Sequence, residues 1–429
     1  MDRKQTRLRI AAALVALPIL GTALTGPAAP LAALSPLAPA PASAADECAV
    51  GVMARLPGPP VAFAEMGLPA DGRRYTGAGI TVAIVDSGVD ASRPQLAKAL
   101  VPGRSDSLIS DGERSDGLGD SQGHGTALAG IIAARPSPTS GVVGIAPDAR
   151  IISLRVFRDD SQQSIDKGLG PDAGRIAEAI RKATDRGARV ITVALSDDVD
   201  TPALRDATNY ATSRGALVVA SAGNRDTTKQ TEDSPRFPAA YPDALAVTAV
   251  GPTGLATSSS IHGPHIDVAA PGQNVLTTSN GGGDCRYAPD APSSSFATAY
   301  AAGAAALVAQ AYPKETPQQW AYRLEATADR PDPDARDDRI GWGTIRPAAA
   351  LGLRPSSSTR GPVSPFADTS GAARASVSTR VTAHETRADD ITFVAALVLG
   401  AGGLIAVFAL AARTRRRPGT GRRDGGTAA

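Results

Sequence analysis

The chain has 429 residues, with 44 Lys and Arg against 42 Asp and Glu and a formal net charge of +2. This length, with 42% hydrophobic residues, allows one large domain or two ordinary ones around a substantial core, and the near-neutral balance excludes any charge-based case for nucleic-acid binding or an acidic substrate. Aromatics make up only 4%, so the core has to be built from small side chains, as where helices lie close against a sheet.

In chain order, the first segment is basic, with Arg3, Lys4, Arg7 and Arg9. An apolar stretch over 10–24 follows, then a Pro/Ala-rich run ending in Ala42-Ser43-Ala44. This order predicts a secretory signal peptide over 1–44, with an N-terminal membrane anchor as the alternative. Residues 45–78 form a Pro- and Gly-punctuated extension of weak periodicity. From Gly79 the texture changes. Short β-branched apolar runs at 80–85, 150–156, 189–195, 216–220 and 245–250 read as buried parallel strands. Helical stretches at 124–134, 171–186, 201–213 and 296–312 lie between or after them. Such alternation predicts an α/β domain over 79–353, a parallel sheet with helices on both faces. Its active site belongs at the carboxyl ends of the strands.

Residues 354–390 are rich in Ser, Thr, Pro and Ala and read as a flexible tether. Residues 391–412 are uncharged and apolar, about 22 residues or roughly 33 Å as a helix, enough to span a bilayer. The alternative is a core helix, but few core helices stay apolar on every face for this length. Asp389 and Asp390 precede the stretch; Arg413, Arg415, Arg416 and Arg417 follow it. The positive-inside rule places 413–429 in the cytoplasm and the domain outside. The expected localisation is the cell membrane, single-pass, with the domain extracytoplasmic. Only two cysteines occur, Cys48 and Cys285. In an exported chain they are expected to pair, with two free thiols as the alternative.

Three segments carry groups able to act on an acyl carbon. Val85-Asp86-Ser87-Gly88-Val89-Asp90 ends the first strand, Gly123-His124-Gly125-Thr126 opens a helix, and Ser293-Ser294-Ser295-Phe296-Ala297 opens the small-residue helix. A serine hydroxyl needs a base to take its proton, imidazole is the usual base near neutral pH, and a carboxylate fixes the imidazole tautomer. Each residue alone has a plainer reading: Asp86 as a turn former, His124 as a helix-start histidine, Ser295 as an N-cap or part of a linker. The three together, in the order Asp, His, Ser, resemble the signature blocks of subtilases. Gly144-Ile145-Ala146-Pro147, Ser221-Ala222-Gly223-Asn224, Val268-Ala269-Ala270-Pro271-Gly272 and Gly341-Trp342-Gly343 extend the resemblance across residues 55–352. It implies Asp86 as orienting acid, His124 as general base, Ser295 as nucleophile and Asn224 as oxyanion donor, acting on polypeptide substrates without metal or other cofactor. His262, His265 and His384 lack matching context and read as structural or solvent-facing.

The sequence departs from the family in places. Ser293 stands where subtilases carry glycine. Its β-carbon is expected to crowd the nucleophile and to disfavour a glycine-type backbone, so that Ser293→Gly would raise turnover or change little. Ala299 replaces the usual proline. The strand Thr192-Val193-Ala194-Leu195-Ser196 differs from the family's Asn-x-Ser-x-Gly, implying an altered S1 pocket. The extension is too short for a separately folded inhibitory prodomain and is expected to lie along the domain. Signal peptide, short extension, subtilase domain, tether and membrane helix together resemble the mycosins, membrane-anchored subtilases associated with type VII secretion. That likeness makes a Cys48–Cys285 bridge fastening the extension plausible. The expected function is a membrane-anchored extracytoplasmic serine endopeptidase with the type VII secretion machinery as partner. The alternatives are a general cell-surface subtilase and a scaffold subunit with weak protease activity.

Overall fold

The computed structural model describes residues 58–69, 73–228, 230–356 and 358–366. The expected signal peptide over 1–44, Cys48, His384 and the apolar stretch 391–412 lie outside the described residues. Among those described, no helix is long and apolar enough to cross a membrane.

The domain begins with α1 (Ala62–Glu65), β1 (Thr81–Asp86), α2 (Pro94–Ala97) and β2 (Asp106–Ser107). Next come α3 (His124–Ala133), β3 (Arg150–Arg155), α4 (Gln162–Asp166), α5 (Ala173–Asp185) and β4 (Val190–Val193). They are followed by α6 (Pro202–Ser213), β5 (Leu217–Ser221), β6 (Ala244–Val250) and β7 (Val268–Pro271). The last elements are β8 (Val275–Thr278), β9 (Asp284–Tyr287), α7 (Ser294–Ala311), α8 (Pro317–Ala326) and α9 (Pro347–Gly352).

Seven strands form one sheet in the order β2-β3-β1-β4-β5-β6-β7, and every pairing is parallel. The chain builds outward from β1 to one side through β2 and β3, then crosses to β4 and builds to the other. The reversal opens a crevice at the carboxyl ends of β1 and β4, where such sheets bind ligands. Alternation along β1 supplies both faces: Val82 and Ile84 join one core, Ala83 and Val85 the other. Helices α5 and α6 cover the second face. The first is covered by α3 and α7, the latter buried from Ser294 through Ala309. Its run of Ala and Gly lets it approach closely; a β-carbon at Gly303 would sit 1.6 Å from Ile145 Cγ2.

The described part of the extension lies along the domain: Phe63, Met66 and Leu68 belong to the α3–α7 core, and Arg73 Nη1 donates to the Ile145 carbonyl. The expected tether begins too early at 354. Phe366 packs its ring 5.8 Å from that of Tyr322, and the Arg323 guanidinium lies between Tyr312, 3.5 Å away, and Phe366, 5.5 Å away. Arg360 Nη2 donates to Asp334 Oδ2 at 2.5 Å. An aromatic and an arginine inside a polar run anchor it where composition alone suggested free chain.

Candidate active site

Asp86 is the last residue of β1 and is fully buried. Its Oδ1 accepts from the Ser87 N–H at 2.8 Å, from Ser87 Oγ at 3.2 Å and lies 2.8 Å from His124 Nδ1. A carboxylate only accepts, so Nδ1 carries the proton and Nε2 keeps its lone pair. His124 opens α3. The two glycines flanking it are required by space: a β-carbon on Gly123 would fall 2.7 Å from Asn280 Oδ1, and one on Gly125 would fall 2.0 Å from the Gly88 carbonyl. Gly123 also has φ +90°, which L side chains rarely adopt.

A second buried carboxylate, Asp120, escaped the sequence reading. It accepts from Gly123 N, Thr126 N and Thr126 Oγ1 at 2.8, 2.8 and 2.6 Å and from Ser87 Oγ at 2.9 Å. Burial raises its pKa, and those hydrogen bonds work the other way. Arg155 likewise escaped notice: its Nε donates to the Ser87 carbonyl at 3.0 Å while its two Nη atoms hold Asp111 at 2.9 and 2.7 Å. Together Asp120 and Arg155 lock the turn that carries Asp86. The spacing Asp-x-x-Gly-His was the available signal for Asp120.

His124 has a raised pKa. Burial opposes the imidazolium, but the charge and hydrogen bond of Asp86, with the charges of Asp120 and Asp160, outweigh it.

Ser295 lies in the first turn of α7 and is mostly buried. Its Oγ donates to the Ala194 carbonyl at 3.1 Å, and the His124 ring stacks 5.6 Å from Phe296. His124, Ser295, Asn224 and Ser293 line one cleft of about 280 Å³ with Ala194, Leu195 and Ser196, the substituted strand. Asn224 follows β5, and its Oδ1 accepts from Ser294 N and Ser294 Oγ at 2.8 and 2.9 Å. The expected strain at Ser293 is not present. Its φ of −114° and ψ of 127° are ordinary extended backbone, because its N–H donates to the Gly272 carbonyl at 2.9 Å as a strand residue would.

The other two described histidines are elsewhere. His262 Nε2 pairs with the Thr257 carbonyl at 3.2 Å, and His265 is half-buried outside the cleft lining. Cys285 lies buried on β9, and no cysteine among the described residues is free. Among the described residues no three His, Cys, Asp or Glu side chains gather to hold a metal ion.

Residues 77–343 match the Subtilase family. Mycosin-1 of Mycobacterium tuberculosis is 37% identical over 323 residues, 66% of this chain and 71% of that protein. Thermitase of Thermoactinomyces vulgaris is 37% identical over 233 residues, 54% of this chain and 76% of that protein. The crystal structure of MycP1 from Mycobacterium smegmatis superposes with a TM-score of 0.60 at 30% identity, covering 75% of this chain and 92% of that one. The structure of MycP1 from the ESX-1 type VII secretion system gives 0.61 at 30% identity, covering 73% and 93%. The chain therefore belongs to the subtilase family of serine endopeptidases, and within it is most like the mycosins.

Proposed function

We propose that this chain is a membrane-anchored, extracytoplasmic endopeptidase of a type VII secretion system, cleaving exported polypeptides through Asp86, His124 and Ser295. The observation that carries the catalytic reading is the 2.8 Å contact between His124 Nδ1 and Asp86 Oδ1 in the cleft that Ser295 also lines. In that arrangement Asp86 fixes the tautomer and His124 Nε2 takes the Ser295 proton as Oγ attacks the scissile carbonyl. His124 then returns the proton to the leaving amine, and water repeats the cycle on the acyl-enzyme. In the structure Ser295 Oγ donates to Ala194; attack needs a rotation about its χ1 toward His124, and such bonds often tighten only with substrate bound. Asn224 Nδ2, with the Ser295 amide in the first turn of α7, receives the developing oxyanion.

The secretion-system assignment rests on the likeness to MycP1 from the ESX-1 type VII secretion system. The anchor rests on the uncharged stretch 391–412 with arginines after it. We also propose that Cys48 and Cys285 pair, tying the extension to the hairpin just before the nucleophile. Hydrolysis of fluorogenic peptide amides by full-length protein in membranes tests the activity. Ser295→Ala and His124→Ala are each expected to lower kcat by at least about 10⁴-fold; retention of turnover in either would refute the assignment.

A further inference from the structure

Ser293 occupies the N-cap of α7, a position where a serine hydroxyl ordinarily accepts from the backbone N–H two or three residues on. It makes no such cap bond. Its Oγ instead accepts from Asn224 Nδ2 at 3.3 Å. Which end of the Asn224 amide is nitrogen is settled by chemistry: the Ser294 N–H can only donate, and it points at Oδ1 at 2.8 Å. The backbone of Ser293 is pinned on both sides, its N–H to the Gly272 carbonyl at 2.9 Å and its own carbonyl to Ala297 N at 3.3 Å, which keeps its Cβ beside Asn224.

The two bonds from Ser294 both meet at Oδ1, so they hold only that end of the amide, and χ2 of asparagine is a soft torsion. A third bond, at Nδ2, fixes the other end. Nδ2 carries two hydrogens; Ser293 takes one and the other remains for the cleft, which both residues line with Ser295.

We propose that Ser293 is a positioning residue for Asn224, its hydroxyl holding the amide plane so that the second Nδ2 hydrogen meets the acyl oxygen as negative charge develops there. The proposal rests on the reading of Asn224 as oxyanion donor. It reverses the expectation that glycine at this position would help: the departure from the family pattern supplies a contact, and glycine removes it.

The test is a double-mutant cycle on the full-length protein, with kcat and KM for a fluorogenic peptide amide and a thermal melt for each variant. Asn224→Ala alone is expected to lower kcat about 10²-fold; subtilisin is the system from which that magnitude comes. Ser293→Ala and Ser293→Gly are expected to lower kcat about tenfold, the scale of one hydrogen bond, with KM unchanged. Ser293→Thr, which keeps the hydroxyl, is expected to stay within about twofold of wild type. On the Asn224→Ala background, Ser293→Ala is expected to have no further effect. Wild-type or higher kcat in Ser293→Ala and Ser293→Gly would overturn the proposal, as would an equal loss on both backgrounds or a threonine variant no better than alanine at an unchanged melting temperature. If instead Asn224→Ala costs nothing, it is the oxyanion reading that fails.

Discussion

His124 sits among three carboxylates, one bonded to it and two acting through space, and their sum decides when it can accept a proton. A general base must be neutral. Because Asp86, Asp120 and Asp160 hold its pKa above the ordinary imidazole value of 6.5 against the opposing effect of burial, kcat/KM is expected to fall on the acid side through a pKa above that of free histidine. Stability runs the other way: the imidazolium with its partners stabilises the fold below the ordinary value, and this contribution is lost as pH rises through the raised one. Asp160 lines the cleft rim and is separable from the turn that holds Asp86. Asp160→Asn is therefore expected to move the acid limb of the kcat/KM profile to lower pH without a change in its plateau. A limb that stays in place would show that Asp160 does not act on His124. At this scale the gathering of Asp86, His124, Ser295 and Asn224 around one cleft could be expected from the sequence because each lies in a short motif whose spacing carries its environment. Asp120 had a local signal in its spacing to Gly123 and Thr126 that went unused, whereas Arg155 and the proposed role of Ser293 depend on contacts made across the fold. Ser293 and Asn224 are 69 positions apart, and no local pattern joins them.

The elements that read correctly are the ones with strong local texture. The five apolar runs became β1, β3, β4, β5 and β6, and the four helical stretches became α3, α5, α6 and α7, with boundaries moved by a residue or two at most ends. The hairpin β8–β9 was missed because each strand is four residues long and is held by tertiary bonds. Thr277 Oγ1 and Thr278 Oγ1 donate to the carbonyls of Ala127 and Thr126 on α3, at 2.7 and 2.9 Å. Helix α8 was also missed, although Thr316 and Gln319 form a capping box at its start. Its Glu325 faces Asp267, the residue before β7. Burial chiefly, then the charge of Asp267, pushes Glu325 up to about 8. Burial pushes Asp267 up to about 7, against its bond from Ala246 N and the charge of Arg336. Carboxyls raised in the folded state stabilise it below the ordinary carboxyl range, and that contribution is lost as pH climbs through the raised values. Wild type should thus lose melting temperature between about pH 5 and pH 8, and Glu325→Gln should flatten the loss. An identical pH dependence in the two proteins would mean that Glu325 does not titrate in this range.

For the whole molecule, the domain extends further along the chain than composition indicated. The extension enters the core through Phe63 and Met66, and the segment to Phe366 closes over α8 through Arg323. Fold class was legible because strand and helix alternate in order; these margins were not, since the first holds a helix of only four residues and the second is anchored by Phe366 in an otherwise polar run. Two truncations separate the domain from the C-terminal remainder of the chain. A chain ending at Phe366 is expected to melt with the full-length protein and to leave the membrane fraction, whereas one ending at Leu353 should melt several degrees lower through loss of the Tyr322–Phe366–Arg323 packing. Equal melting temperatures would show that residues 354–366 add nothing to the domain. A chain ending at Phe366 that still sediments with membranes would place the anchor elsewhere than 391–412.

The central claim, that Ser295 is the nucleophile of a working triad, is tested most directly by mapping the adduct of a fluorophosphonate on the full-length protein. A single phosphonylated residue is expected, Ser295, with none on the adjacent Ser293 or Ser294, and with labelling abolished in Ser295→Ala and strongly slowed in Asp86→Asn. An adduct on Ser293 or Ser294, or undiminished labelling after Ser295→Ala, would contradict it.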